Sequence, residues 1–301
     1  MQSCVWLICL AGCGRLGFDA TADGSTTDGT NGTNDAAGLT LVTVDPGSLP
    51  PFGLVDRVME LSSSEDDDDP CLTRDQLEVF FESTRGGNSD LWTSRRVSVN
   101  DVWPAPVPVM VVNSSNSEEH PSLTADGLSL YFTSDRNGSP DLWFSMRADR
   151  TSPFGVPAKV PTVNTPNSER MGSLDALDQS LFLSSTRNTA NDQLFEARRS
   201  TPSQAWSTPV LVPEVATTAG DPSVHVDDRG LAMYLVQGAG NPDLYWTTRT
   251  MAGSPWTATV PLTELNTDAA ESDPWLSPDL RTVYFVRGTA PGTRDLYKAT
   301  R

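Results

Sequence analysis

"EHPSLTADGLSLYFTSDRNGSPDLW", residues 119–143, contains two strand-like runs and two turns, and the rest of the chain reads as variations on it. Apolar or aromatic residues alternate with polar ones over 128–134 and 141–147, the period of a half-buried strand. Asp126-Gly127 is a tight-hairpin dipeptide, and "RNGSP" over 136–140 marks a second turn. "SLT" before the first turn and "AKVPTV" over 158–163 supply two more short strands. Four antiparallel strands in a unit of about 50 residues are the content of one propeller blade.

The unit recurs. An acid-leucine-aromatic phrase is centred on Leu91, Leu142, Leu194, Leu244 and Leu296, at separations of 51, 52, 50 and 52. An aromatic after a Pro- or Ser-rich turn returns as Phe52, Trp103, Phe154, Trp206 and Trp256, at separations of 51, 51, 52 and 50. A third marker is the pair opening each copy: Asp69-Pro70, His120-Pro121, Arg170-Met171, Asp221-Pro222 and Asp273-Pro274. Three markers sharing one period establish a repeat. The third copy is degenerate, with Asp178-Gln179 at its hairpin and Gln193 opening its phrase. The fourth has a longer hairpin ending at Gly230.

These residues resemble the TolB-like propeller repeat, also called PD40 and related to WD40, over 51–301 in five copies. The resemblance implies an all-β, five-bladed β-propeller of four-stranded antiparallel blades. Such a repeat specifies a fold and serves many functions. The first segment, "PFGLVDRVMEL" over 51–61, precedes any complete copy, and Arg301 follows the third strand of the fifth. The N-terminal strand is therefore expected to close the last blade, leaving no free edge.

With 37% hydrophobic residues, including 8 Trp, 10 Phe and 5 Tyr, the chain can fill a core; 23 Pro and 22 Gly suit short strands and many turns. A net charge of −18 excludes nucleic acid as a partner and electrostatic docking on anionic lipid. Cys4, Cys9 and Cys13 crowd the first residues, leaving Cys71 alone, so no disulfide is expected to hold the fold. The apolar run 5–10 is too short to span a bilayer but suits a secretory signal. "LAGC" ending at Cys13 resembles the lipobox of bacterial lipoproteins, although no Lys or Arg precedes the apolar run. The resemblance implies that 1–13 is a signal peptide with its lipobox, cut just before Cys13, that Cys13 is lipidated, and that the protein resides at the outer membrane. Residues 14–50, opening on a Thr/Asp/Gly/Asn-rich run, are expected to form a disordered tether.

Inner strands of a propeller line a central channel. Asp69, Glu119, His120, Glu169, Asp221 and Asp273 are accordingly expected on its rim. Oxygen donors there suit Ca²⁺, but strand-end capping is the favoured role, and no metal or other cofactor is expected. The run "SEDDDD" over 64–69 reads as a solvated or disordered loop. Asp90, Asp141, Asp243 and Asp295, with Trp92 and Trp143, recur in nearly every copy, which marks them as structural: a catalytic residue is needed once. No G-x-S-x-G is present, and no residue is assigned as catalytic. The expected function is a non-enzymatic, lipid-anchored envelope scaffold, monomeric, binding an unidentified envelope protein or glycan. The alternative is a carbohydrate-binding or glycoside-hydrolase-like propeller using the channel acids, with Trp103, Trp206 and Trp256 as sugar contacts.

Overall fold

A computed structural model describes residues 31–34, 40–215, 223–238, 240–290 and 293–301. Cys13, its lipobox and Asp221 lie outside the described residues. Five four-stranded antiparallel sheets follow one another along the chain. Blade 1 runs Asp67–Leu72, Glu78–Ser83, Asp90–Arg95 and Val107–Pro108, from inner to outer strand. Blade 2 repeats this with Glu118–Leu123, Ser129–Ser134, Asp141–Met146 and Ala158–Lys159. Blade 3 consists of Glu169–Leu174, Ser180–Ser185, Gln193–Arg198 and Val210–Leu211. Blade 4 has Val224–Val226, Ala232–Gln237, Asp243–Thr248 and Val260–Pro261. In blade 5, Glu271–Leu276, Thr282–Ala290 and Thr293–Thr300 are joined by Val55–Arg57.

That last pairing sets Tyr297 opposite Arg57 and Ala299 opposite Val55, so the first segment closes the last blade. Inner strands of neighbouring blades touch all the way round, blade 5 against blade 1 included. The molecule is a closed five-bladed propeller. Each outer strand is only two or three residues long, which leaves little edge for a stray chain to pair with.

The apolar core is divided into five clusters, one at each blade-to-blade interface. The repeated leucines, Leu91, Leu142, Leu194, Leu244 and Leu296, are all buried in them. The turn aromatics are buried too, each beneath an arginine. Arg96 lies 4.0 Å from the Trp103 ring centre, Arg147 4.7 Å from Phe154, Arg199 4.0 Å from Trp206, Arg249 4.5 Å from Trp256 and Arg301 4.2 Å from Phe52. Each of these guanidiniums donates its Nε–H to a carbonyl of its own blade's first hairpin, at Gln76, Gly127, Asp178, Gly230 or Leu280.

The same arginines reach back to the preceding blade, and the partner varies in a regular way. Where the second strand of that blade carries Phe80 or Phe182, a buried glutamate receives the fork: Glu78 takes Arg147, and Glu196 takes Arg249 at 2.8 and 2.9 Å. Where it carries tyrosine, the phenol faces the arginine instead, Tyr131 toward Arg199, Tyr234 toward Arg301 and Tyr284 toward Arg96. Each interface thus meets its guanidinium with a buried acceptor or a phenol.

Two expectations differ from what is observed. Within the tether region, 31–34 pairs with 40–43, and Leu41 and Val44 are buried; Val44 joins the cluster between blades 4 and 5. Leu41 and Val44 give that stretch something to bury. The acidic run 64–69 is solvated only in its first half, where Ser64 and Glu65 are exposed. Asp67 and Asp68 start the inner strand of blade 1 and are buried, Asp67 on Arg85 at 2.5 Å and Asp68 on Arg294 at 2.5 Å. Distant arginines supply the counter-charge that the run itself lacks.

Replacing Arg249 by Met strands the buried Glu196 carboxylate against the more distant, half-exposed Arg198. Urea unfolding is expected to show a loss of about 3–5 kcal/mol. The double variant Arg249→Met with Glu196→Gln should recover much of it, because no buried charge is then left alone.

Candidate functional site

The inner strands of blades 1, 2, 3 and 5 each carry a bulge near their starts, shifting register between Asp68 and Cys71, Glu119 and Ser122, Met171 and Ser173, and Ser272 and Trp275. Asp69, His120 and Asp273 occupy the bulges with left-handed backbones (φ of 50, 52 and 50°), each followed by proline. Such backbone is costly for non-glycine residues and needs surrounding structure to hold it. Blade 3 differs in having Gly172 where the others have proline. A Cβ there would sit 2.9 Å from the Phe182 carbonyl oxygen and 2.9 Å from Val224.

The bulges bring Asp69, His120 and Asp273 to one mouth of the channel, with Met171 as the blade 3 member. His120 donates its backbone N–H to Asp69 at 3.3 Å, and its ring lies 3.8 Å from both Asp69 and Glu119 carboxylate oxygens. Glu119 is half-buried beside it. Glu169 is not at the rim. It is fully buried at the first position of its strand, accepting from Thr165, Ser185 and Arg187. Glu118, Glu271 and Asp67 hold the same position, and Arg136, Arg287 and Arg85 clasp them. In blade 2 the clasp also ties Arg136 to the Val112 carbonyl at 2.7 Å, fastening the inner strand to the incoming loop. The bulge separates this buried position from the rim, and spacing alone does not reveal it.

Two of the four recurring aspartates bridge strands of their own blade. Asp141 holds Lys159 at 2.5 Å and Asp295 holds Arg57 at 2.5 Å, so each ties a third strand to its outer strand within one blade. Burial, then the nearby Glu118 or Glu271 charge, raises Asp90 and Asp243 above the ordinary carboxylate value. Trp92 and Trp143 lie against Arg85 and Arg136, at 5.2 and 4.8 Å.

Asp68 and Asp69, from blade 1, meet Asp273, from blade 5. One carboxylate oxygen from each lies within 4.8 Å of the others. Burial, then the Asp273 charge, pushes both Asp68 and Asp69 well above the ordinary carboxylate range. Burial acts on Asp273 as well, but hydrogen bonds from Asp68, Ser223, Ser272 and Asp69 hold it below that range. Deeper in the channel, burial pushes the Cys71 thiol up to about 12 and the His225 ring down to about 4, so at neutral pH the thiol is un-ionised and the ring uncharged. The opposite mouth is spanned by a two-pronged ion pair between Arg74 of blade 1 and Asp228 of blade 4, one prong at 2.9 Å. Free volume is about 40 Å³ at the acidic mouth and about 70 Å³ at the other. Larger spaces lie on the outside. A groove of about 980 Å³ between blades 2 and 3 is lined by Tyr131, Phe144, Met146, Val160, Arg199 and Trp206 among others.

No family model matches the chain, and no curated protein matches it either. Solved structures do. The catalytic domain of a Coprinopsis cinerea GH62 alpha-L-arabinofuranosidase is similar at a TM-score of 0.54 and 12% identity, over 79% of this chain and 92% of that one. A Dyadobacter fermentans protein of unknown function matches at 0.54 and 10%, over 82% and 99%. TolB from Acinetobacter baumannii matches at 0.48 and 14% over 80% of this chain, which spans 56% of TolB's length. At such identities these likenesses show the fold alone, and a fold of this kind hosts many functions.

A carboxyl whose pKa is higher folded than unfolded contributes stability that is full below its unfolded value and lost as pH rises through its folded one. Asp68 and Asp69 belong to this class, as do Asp175 and Asp227, which burial raises from 3.8 to about 6. His225 opposes them, losing stability as pH falls from 6.5 to about 4. The carboxyls outnumber it. In metal-free buffer the melting temperature is expected to fall as pH rises from 4.5 to 7, and Asp69→Asn should flatten that slope. A melting temperature that climbs over this window would contradict the assignment.

Proposed function

We propose that this chain is a non-enzymatic interaction module, held at the cell envelope by a lipid on Cys13, that binds an envelope protein through its outer surface. One observation carries the reading: the channel acids are packed together rather than set apart around a space for substrate. A glycoside hydrolase places two carboxyl groups about 5–9.5 Å apart across a bound sugar, whereas Asp68, Asp69 and Asp273 bring oxygens within 4.8 Å of one another. The free volume beside them, about 40 Å³, is far below the roughly 300–1,000 Å³ of a small-molecule site. Trp103, Trp206 and Trp256 lie buried beneath arginines, so they offer no platform for a sugar.

The groove between blades 2 and 3 supports the binding role, combining exposed Met146 and apolar walls with the polar Gln179, Arg199 and Gln204. The lipid anchor rests on the sequence around Cys13, and the envelope location rests on the anchor.

Incubation with arabinose- and xylose-containing polysaccharides should release no reducing sugar above the level given by Asp273→Ala protein. A photo-reactive residue at Met146 should cross-link one envelope protein, and the same residue at Val260 should not. Hydrolysis that depends on Asp69 and Asp273 would overturn the non-enzymatic reading.

A further inference from the structure

The seam between the first and last blades holds more buried negative charge than its basic neighbours neutralise. Asp68 and Asp69 reach it from the inner strand of blade 1 and Asp273 from that of blade 5. A fourth acid stands among them. Glu82 lies opposite Asp68 on the second strand of blade 1 and is only 8% exposed. Among the described residues it has no ion pair, and its side-chain contact is with another carboxyl, Asp69. Asp68, only 3% exposed, keeps Oδ2 on Arg294, while its buried Oδ1 has no hydrogen-bond donor. The basic groups beside this set are Arg294 and the His120 ring, which also faces Glu119. Two buried carboxyls and two half-buried ones thus outnumber the counter-charges beside them among the described residues, even with His120 protonated.

Charge of this kind is not kept in a low-dielectric site without compensation, because an unpaired buried carboxylate costs several kcal/mol. Protons or a cation can supply it. The donor geometry favours a cation. Three oxygens from two blades already converge within 4.8 Å, close to the span of two ligands on opposite sides of Ca²⁺ at about 2.3–2.6 Å each. The donors are all carboxylate oxygens, a hard set that suits Ca²⁺ and discriminates against zinc and copper. The free volume of about 40 Å³ accommodates an ion with one or two waters, each needing roughly 10–15 Å³, and no organic ligand.

We infer that Asp68 Oδ1, Asp69 and Asp273 bind a calcium ion, with Glu82 completing the charge balance, and that the ion staples blade 5 to blade 1. It sits where the ring closes, so ring closure is what it stabilises. The inference is independent of whether the protein binds a partner or a glycan.

The test uses the full chain, stripped with chelator and melted without metal, with Ca²⁺ and with Mg²⁺, followed by terbium luminescence excited through the tryptophans. Saturating Ca²⁺ should raise the melting temperature by about 5 °C or more. Terbium should bind and be displaced by Ca²⁺. Glu82→Gln and Asp273→Asn should lose the Ca²⁺ response and weaken terbium binding at least tenfold. Glu82→Gln is the deciding variant should Asp273→Asn fail to fold. It removes a charge without removing volume, so in chelator it should melt at or above the wild-type temperature, an outcome that a merely structural glutamate would not give. Absence of a Ca²⁺ response, an equal response to Mg²⁺, or a response retained in Glu82→Gln would overturn the inference.

Discussion

Five arginines, one per blade, set the spacing of the whole ring. Arg96, Arg147, Arg199, Arg249 and Arg301 each lie over a buried aromatic and donate Nε–H to a hairpin carbonyl of the same blade. Each then meets an acceptor or phenol on the blade before. A sheet packed on a sheet through apolar contacts alone can slide, because dispersion is non-directional. A guanidinium fixed in plane by its hydrogen bonds gives the interface a direction. The alternation between Glu with Phe and Tyr alone shows two chemical solutions to the same constraint within one chain.

The acids at the acidic mouth depend on this frame. Asp69, His120 and Asp273 hold left-handed backbones that would relax in a mobile loop. They persist because proline follows each and because the inner strands are locked by the clasps on Asp67, Glu118 and Glu271. Among the described residues blade 4 shows no such clasp at Gln237, where its neighbours carry serine or arginine. Within a repeat protein, positions that depart from the shared pattern are the ones free to specialise.

Blade number, strand order and closure by the first segment were legible because repetition multiplies a weak local pattern fivefold. The arginine beneath the frame is legible too, since it follows each leucine by five residues at the same period. Glu169 illustrates what was hidden. It matches Glu119 as a nearby acid, yet a bulge places it in a buried clasp and puts Met171 at the mouth. Bulges have no sequence mark as strong as a hairpin's Asp-Gly. Asp67 and Asp68 are hidden for a different reason: their partners Arg85 and Arg294 come from a later turn and another blade, so the local charge run gives no sign of being neutralised.

Closure by Val55–Arg57 has a bearing on how the molecule forms. This strand is made before any other strand of the blades and pairs with residues made some 240 positions later, so it waits through the synthesis of four blades. Contacts of that sequence separation are the slowest to form. Until then blade 5 has no outer strand, and blades 1 and 5 each expose an apolar face, the surface through which incomplete chains associate. Ring closure also brings Arg294 of blade 5 onto Asp68 of blade 1. Assembly order and charge neutralisation therefore converge on a single late event.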